Sequence, residues 1–204
     1  MKEHRIKIIA DINSIYSGQV EEIKDLVLQL SETGIDALTL QWYLPKDDSE
    51  EEKEKRVTER ELYMIKAFTE LVNIEFIPLI NYYQTLDNIA QKILKDLKIK
   101  NYLCLLDDGR IYMEDDTEWN FETKLYIGDN IPIKNYPTFD YLNHFGFIDR
   151  IDGITASIIA ICRGAKYIVK SVINVDDGEI KGGIGIKELK ELCDFRTSIE
   201  KILG

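Results

Sequence analysis

The chain has 204 residues, 45% hydrophobic and 31% charged, a balance that suits one globular domain with its own core. Lys and Arg number 26 against 37 Asp and Glu, a formal net charge of −11. Such a chain repels nucleic acid and anionic lipid, which excludes both as expected partners.

The first strand is expected over residues 6–12, followed by a loop with Ser17 and Gly18. Val20, Ile23, Val27 and Leu30 then recur at helical spacing over 19–33, and Gly34 supplies a helix stop. Residues 36–41 read as a buried strand. A second helix is predicted over 58–72, where Thr58 and Glu61 form a capping-box pair. A strand over 74–80 follows, then a helix over 85–97 with Ile89, Ile93, Leu94 and Leu97 on one face, and a short strand over 102–106. Residues 107–135 break the rhythm; 111–114 and 125–128 are strand candidates there. The βαβ pattern returns with a strand at 145–149, an apolar helix at 154–162 closed by Gly164, a strand at 167–173 and a last helix at 186–202.

Strands alternating with helices imply parallel pairing. Counted generously, they number the eight of a closed barrel, in a length near that fold's lower limit. The expected fold is therefore a single domain over 1–204, a compact or incomplete (β/α)8 TIM barrel with some outer helices missing; an open doubly wound sheet is the alternative. The charged run 46–56 reads as a solvated loop. Cys104 and Cys162 lie in apolar runs and read as buried thiols, and the three widely spaced cysteines suit a reducing cytoplasm. Neither a signal peptide nor a membrane span is expected.

Three segments carry a family resemblance. Residues 9–18, Ile-Ala-Asp-Ile-Asn-Ser-Ile-Tyr-Ser-Gly, lead through a helix to Asp36-Ala37-Leu38-Thr39-Leu40-Gln41. Gly146-Phe147-Ile148-Asp149 continues through Gly153-Ile154 to Gly164-Ala165-Lys166-Tyr167-Ile168-Val169-Lys170. The closing helix contains Lys187-Glu188-Leu189-Lys190-Glu191-Leu192. In order and spacing this set resembles the barrel of the sialic-acid (nonulosonic-acid) synthases. The resemblance implies condensation of phosphoenolpyruvate with an acylated amino sugar, a divalent metal on two histidines, and lysines and serines that grip phosphate. Many members also carry a C-terminal antifreeze-like domain, for which a chain ending at Gly204 is expected to have no room.

Much of that chemistry is altered. Thr39 stands where the resemblance places a lysine, while Gln41 matches. Leu103 and Leu106 fall near a lysine and a serine position. Tyr126 and Arg150 occupy the two histidine positions, and arginine cannot ligate a cation. Tyr16 replaces a loop histidine, Val169 a glutamate and Ser171 a histidine. Asp11 stands for a strand-end glutamate, either as an acid or base or as a loop carboxylate. Asp149 and Lys170 are retained at strand ends, as a catalytic lysine with its carboxylate or as an ion pair.

The catalytic candidates are thus Asp11, Asp149 and Lys170, and the ligand-binding candidates Gln41, Thr39, Arg150, Tyr16 and Tyr126. No metal residue is assigned; a divalent metal belongs only to the alternative that the chain is still an active aldol-type synthase, through an all-oxygen set such as Asp11, Asp149 and Asp129. His4 and His144 read as surface or capping residues, and the acidic pairs at 107–108 and 115–116 as turn carboxylates. Trp42, Tyr43, Tyr82 and Tyr83 are candidates for stacking on a sugar or for rim packing. The loop 178–185 reads as a flexible barrel loop. The expected partner is a sugar, a sugar acid or a protein.

A barrel short of outer helices exposes apolar strand faces, so a homodimer is expected. Light scattering should return twice the chain mass; a monodisperse monomer would contradict it.

Overall fold

The structure is a computed structural model that describes residues 5–13, 15–16, 19–42, 57–81, 87–105, 146–173 and 182–202 with side chains, and 111–114, 123–128 and 203 as backbone. The strands are β1 (Lys7–Asp11), β2 (Ala37–Thr39), β3 (Gln41–Trp42), β4 (Glu75–Phe76), β5 (Leu79–Asn81), β6 (Tyr102–Leu105), β7 (Ile111–Glu114), β8 (Thr123–Gly128), β9 (Gly146–Asp149) and β10 (Tyr167–Ser171). The helices are α1 (Val20–Ser31), α2 (Glu59–Leu71), α3 (Asn88–Asp96), α4 (Thr155–Cys162) and α5 (Ile186–Leu203).

β2 and β3 are two parts of one strand, as are β4 and β5. Ala37 pairs with Glu75 in the first part, Gln41 with Leu79 in the second, and the register offset does not change between them. The interruption on the second strand falls at Ile77-Pro78, where proline offers no ladder donor. With these joined, the pairing runs β1, β2/β3, β4/β5, β6, β7, β8, β9, β10 and back to β1. That is a barrel circuit of eight positions, with five outer helices among the described residues. β7 is antiparallel to both neighbours and every other pairing is parallel. Parallel neighbours need a crossover, usually helical, whereas antiparallel ones can be joined directly. The reversed β7 lies in the stretch 107–135 where the helical rhythm breaks, and an antiparallel strand needs no helical crossover there.

Alternation along the strands separates two cores. Ile9, Ala37, Ile77, Leu79, Leu103, Ile148 and Val169 point inward and form a dry plug. Ile8, Ala10, Leu38, Leu40, Phe76, Phe147 and Ile168 point outward and pack under the helices with Ile23, Val27, Leu30, Leu62, Ile65, Leu189 and Leu192. The predicted capping box is present: Thr58 Oγ1 accepts from Glu61 N, and Glu61 accepts from Thr58 N at 2.6 Å. Asp87 caps α3 through Ile89 N and Ala90 N, two residues later than the expected start. Two readings are corrected. Ile89 is 65% exposed because α3 buries Ala90, Ile93 and Leu94 instead. Cys162 is exposed at the last turn of α4, while Cys104 and Cys193 are buried. No helix among the described residues is long and apolar enough to cross a membrane.

At the end of the barrel where the strands begin, α5 is tied to β1 and to the turn before β2. Buried Arg196 donates to Asp36, to Gly34 O at 3.0 Å and to Ile6 O at 3.3 Å. Asp36 also accepts from Ile8 N at 2.9 Å and pairs with Arg5 at 2.7 Å, and Glu200 accepts from Ile6 N at 2.7 Å. Removing one member of a buried pair leaves the other uncompensated. Arg196→Met is expected to cost about 3 kcal/mol, and Thr58→Ala about 1 kcal/mol, read as lowered urea midpoints with unchanged m-values.

Candidate functional site

The strands run toward a cavity of about 220 Å³ at the other end of the barrel. Its apolar floor is Leu79, Leu103, Ile148 and Val169, and its polar wall is Asp11, Asn13, Thr39, Gln41, Arg150 and Ser171, with Gly182 alongside. The strand register explains the set. Ile9 lies level with Val169 and Ala37 in the plug; one inward step further, Asp11 lies level with Ser171 and Thr39. The mouth at the strand C-termini is where barrels of this class place their ligands.

Asp11 sits in a built environment. Its Oδ1 accepts from Asn13 N at 3.0 Å and Asn13 Nδ2 at 2.6 Å, and its Oδ2 from Ser171 Oγ at 3.3 Å. Asn13 Oδ1 in turn accepts from Gln41 N at 2.7 Å, tying the loop after β1 to β3. Burial pushes the Asp11 carboxyl above its ordinary value; the Asn13 hydrogen bonds, the Arg150 charge and the Ser171 hydroxyl oppose that without cancelling it. Thr39 is 1% exposed, and its Oγ1 has no hydrogen-bond partner among the described residues. A buried hydroxyl left unpaired is costly, and at a cavity wall it marks a place for a ligand's polar group.

The structure brings Asp11, Thr39, Gln41 and Arg150 together. Asp149 and Lys170, expected at the mouth, lie elsewhere. They alternate with the inward residues Ile148, Arg150, Val169 and Ser171, so their side chains point to the helix layer. There Lys170 Nζ lies 3.2 Å from Asp149 Oδ1 and donates to Ile151 O, Ser157 Oγ donates to Asp149 Oδ2 at 2.5 Å, and both charged groups are wholly buried. Burial pulls the Lys170 amine below its ordinary value and the Asp149 charge opposes it. The ion-pair alternative is the one observed.

Tyr16 is also displaced from its expected place. It is buried in the outer core rather than at the cavity, and burial, with Glu61 and Glu21, pushes its phenol to about 12. Trp42 is likewise buried on the helix side. Tyr126 pairs with Phe147 along β8, its side chain outside the described residues. Tyr43, Tyr82, Tyr83, Leu106, Asp129, both histidines, the run 46–56 and the acidic pairs also lie outside them. Two wall residues, Asn13 and Ser171, were missed as site residues. The Asp11-x-Asn13 spacing, which lets a carboxylate accept from the amide two residues on, is the signal that would have found the first.

The donor set does not suit a divalent cation. Asp11 is the one carboxylate among the described wall residues, both its oxygens are engaged, and Arg150 adds a positive charge beside it.

No family model and no curated protein matches the chain by sequence. Solved structures do match. N-acetylneuraminic acid (sialic acid) synthetase of Leptospira borgpetersenii serovar Hardjo-bovis, in complex with citrate, aligns at 15% identity and TM-score 0.72, over 98% of this chain and 85% of that one. A spore coat polysaccharide biosynthesis protein of Bacillus subtilis aligns at 14% identity and TM-score 0.63, over 98% and 69%. Phospho-2-dehydro-3-deoxyheptonate aldolase of Thermotoga maritima aligns at 13% identity and TM-score 0.57, over 98% and 71%. At these identities the likeness establishes a shared barrel fold, the one that the three sequence segments implied.

The raised Asp11 carboxyl has a stability consequence with a definite sign. Between the ordinary value of 3.8 and its higher folded value, the native state holds the proton more tightly than the unfolded chain. Stability from this group therefore falls as pH rises through that window. Asp11→Asn, which keeps an acceptor for Asn13 N, is expected to be more stable than the parent at pH 7. The gain should shrink toward zero as pH falls to about 4; urea titrations across that range check it.

Proposed function

We propose that this chain is a divergent sialic-acid-synthase-like protein of surface-carbohydrate (nonulosonic acid) biosynthesis. Its cavity binds a sugar or sugar acid without metal-dependent condensation of phosphoenolpyruvate. The observation that carries the reading is the charge of the cavity wall. Arg150 is the one cation among the described wall residues, and Thr39, whose hydroxyl has no partner among the described residues, occupies the place of an expected lysine.

A phosphate dianion in a half-dry cavity calls for several cations or aimed N–H donors. A carboxylate is matched by one guanidinium. Thr39, Gln41 and Ser171 then suit hydroxyl or amide groups, and Leu79, Leu103, Ile148 and Val169 suit the C–H face of a sugar ring. A cavity of about 220 Å³ suits a small ligand or one end of a larger one. A second copy of the chain, as expected for a barrel short of outer helices, belongs to the same proposal.

Asp11 favours a second reading, an active aldol-type synthase. A carboxyl raised by burial beside a cavity is suited to proton transfer. A lyase working through a Lys170 Schiff base is disfavoured, because that amine is buried on the opposite face of β10.

Thermal shift with N-acetylneuraminate, an acylated amino sugar, phosphoenolpyruvate and manganese, singly and combined, separates these readings. A sugar or sugar acid alone should raise the melting temperature; saturation at a hundredfold Kd stabilises by about 2.7 kcal/mol. The acid's effect should vanish in Arg150→Gln. A shift that needs manganese and phosphoenolpyruvate together would overturn the binding reading in favour of the synthase. No shift with any of them would overturn both and direct attention to a protein partner.

A further inference from the structure

The turn from Asp149 to Asp152 is held from both sides. Asp149 Oδ1 accepts from Ile151 N at 2.9 Å and Lys170 Nζ donates to Ile151 O, so one buried ion pair takes both backbone groups of Ile151. Ser157 Oγ, in the first turn of α4, fixes the other Asp149 oxygen. Across the turn, Gly182 N donates to Asp152 Oδ1 at 2.6 Å. Gly182 lies so close that a Cβ there would stand 2.4 Å from Arg150 O, at a φ of +91° that itself favours glycine. Arg150, between these restraints, lines the cavity. A wholly buried ion pair gains little stability over an apolar pair, so stability alone does not account for this one.

The geometry points to Lys170 and Asp149 as positioning residues: they lock the 149–152 turn and thereby fix Arg150 as the cation that receives the anionic group of the ligand. The assignment of an anionic ligand rests on the function proposed above. The lock itself is testable without any ligand.

Asp11 serves as the reporter, because its carboxyl shares the cavity wall with Arg150 and feels that charge. Its titration would be followed by 13C NMR in the parent, Arg150→Gln, Lys170→Met and the double variant. Arg150→Gln should raise the Asp11 midpoint. Lys170→Met should raise it by at least half as much, and adding Lys170→Met to Arg150→Gln should move it no further. Simple loosening of the fold would not reproduce that non-additivity.

An unmoved midpoint in folded Lys170→Met, a Lys170 effect that persists in the Arg150→Gln background, or no effect of Arg150→Gln would each overturn the proposal. If Lys170→Met does not fold, Asp149→Asn/Lys170→Met replaces it with the same expectations, since it leaves no unpaired buried charge. Should the lock fail while Arg150→Gln still abolishes the N-acetylneuraminate shift, the proposed function survives and only the positioning role is lost.

Discussion

The alternation of side chains across each barrel strand is the constraint on which both core and cavity depend. In a closed circuit one face of every strand looks into a confined lumen and the other lies under helices. Slipping a strand by one residue would exchange the two sets completely. At β10 the inward set is Val169 and Ser171, and the outward set Ile168 and Lys170. At β9 it is Ile148 and then Arg150 against Phe147 and Asp149. The same rule stacks Asp11 on Ile9 and Thr39 on Ala37, so the dry plug and the polar wall are successive levels of one lattice.

The single reversed strand lets a short chain complete that lattice. Five helices are present among the described residues, and they follow the strands on the side of the circuit running from β9 through β1 to β6. Here each connection between parallel neighbours takes a helix, which buries the outward apolar set. From β6 to β8 the chain goes up, down and up, with no helical crossover among the described residues. The circuit thus has eight positions, and the side that carries the five described helices is the one that carries Asp11, Thr39, Gln41, Arg150 and Ser171.

The parts of this arrangement legible in the sequence are those fixed by local physics. Helical spacing and the Thr58 and Gly34 signals placed α1 and α2 nearly residue for residue; apolar runs located the other described strands, while β7 and β8 read only as candidates. Facing was less legible. Val169, Lys170 and Ser171 lie in a strand buried on both faces, and such strands carry no polar–apolar alternation to show which residues look inward. Hence Lys170 and Asp149, retained in the resemblance at strand ends, read as mouth residues, although their adjacent partners Arg150 and Ser171 face the cavity. Ile89 failed for a related reason. On a short helix, a stripe through Ala90, Ile93 and Leu94 competes with one through Ile89, and only packing against the barrel decides between them. Asn13 went unrecognised because its role depends on a carboxylate two residues away and on an amide in another strand.

The two ends of the barrel are electrostatically unlike. Where the strands begin, Arg196, Asp36, Arg5 and Glu200 engage one another and the backbone of β1, an arrangement that holds the last helix against the first strand. Where the strands end, two groups are held in less favourable states: a carboxyl raised by burial and a hydroxyl without a partner among the described residues. Groups of that kind oppose folding unless a ligand satisfies them, and in barrels they collect at the strand C-termini because that face carries ligands while the other carries stability. The cavity has the same polarity. Its floor is the upper end of the plug itself, Leu79, Leu103, Ile148 and Val169, and only its wall changes from apolar to hydrogen-bonding. The change occurs at one level of the lattice, on several strands at once, which a single compensating contact would not require. A bound molecule with polar groups around its rim and an apolar underside would satisfy all of these positions together.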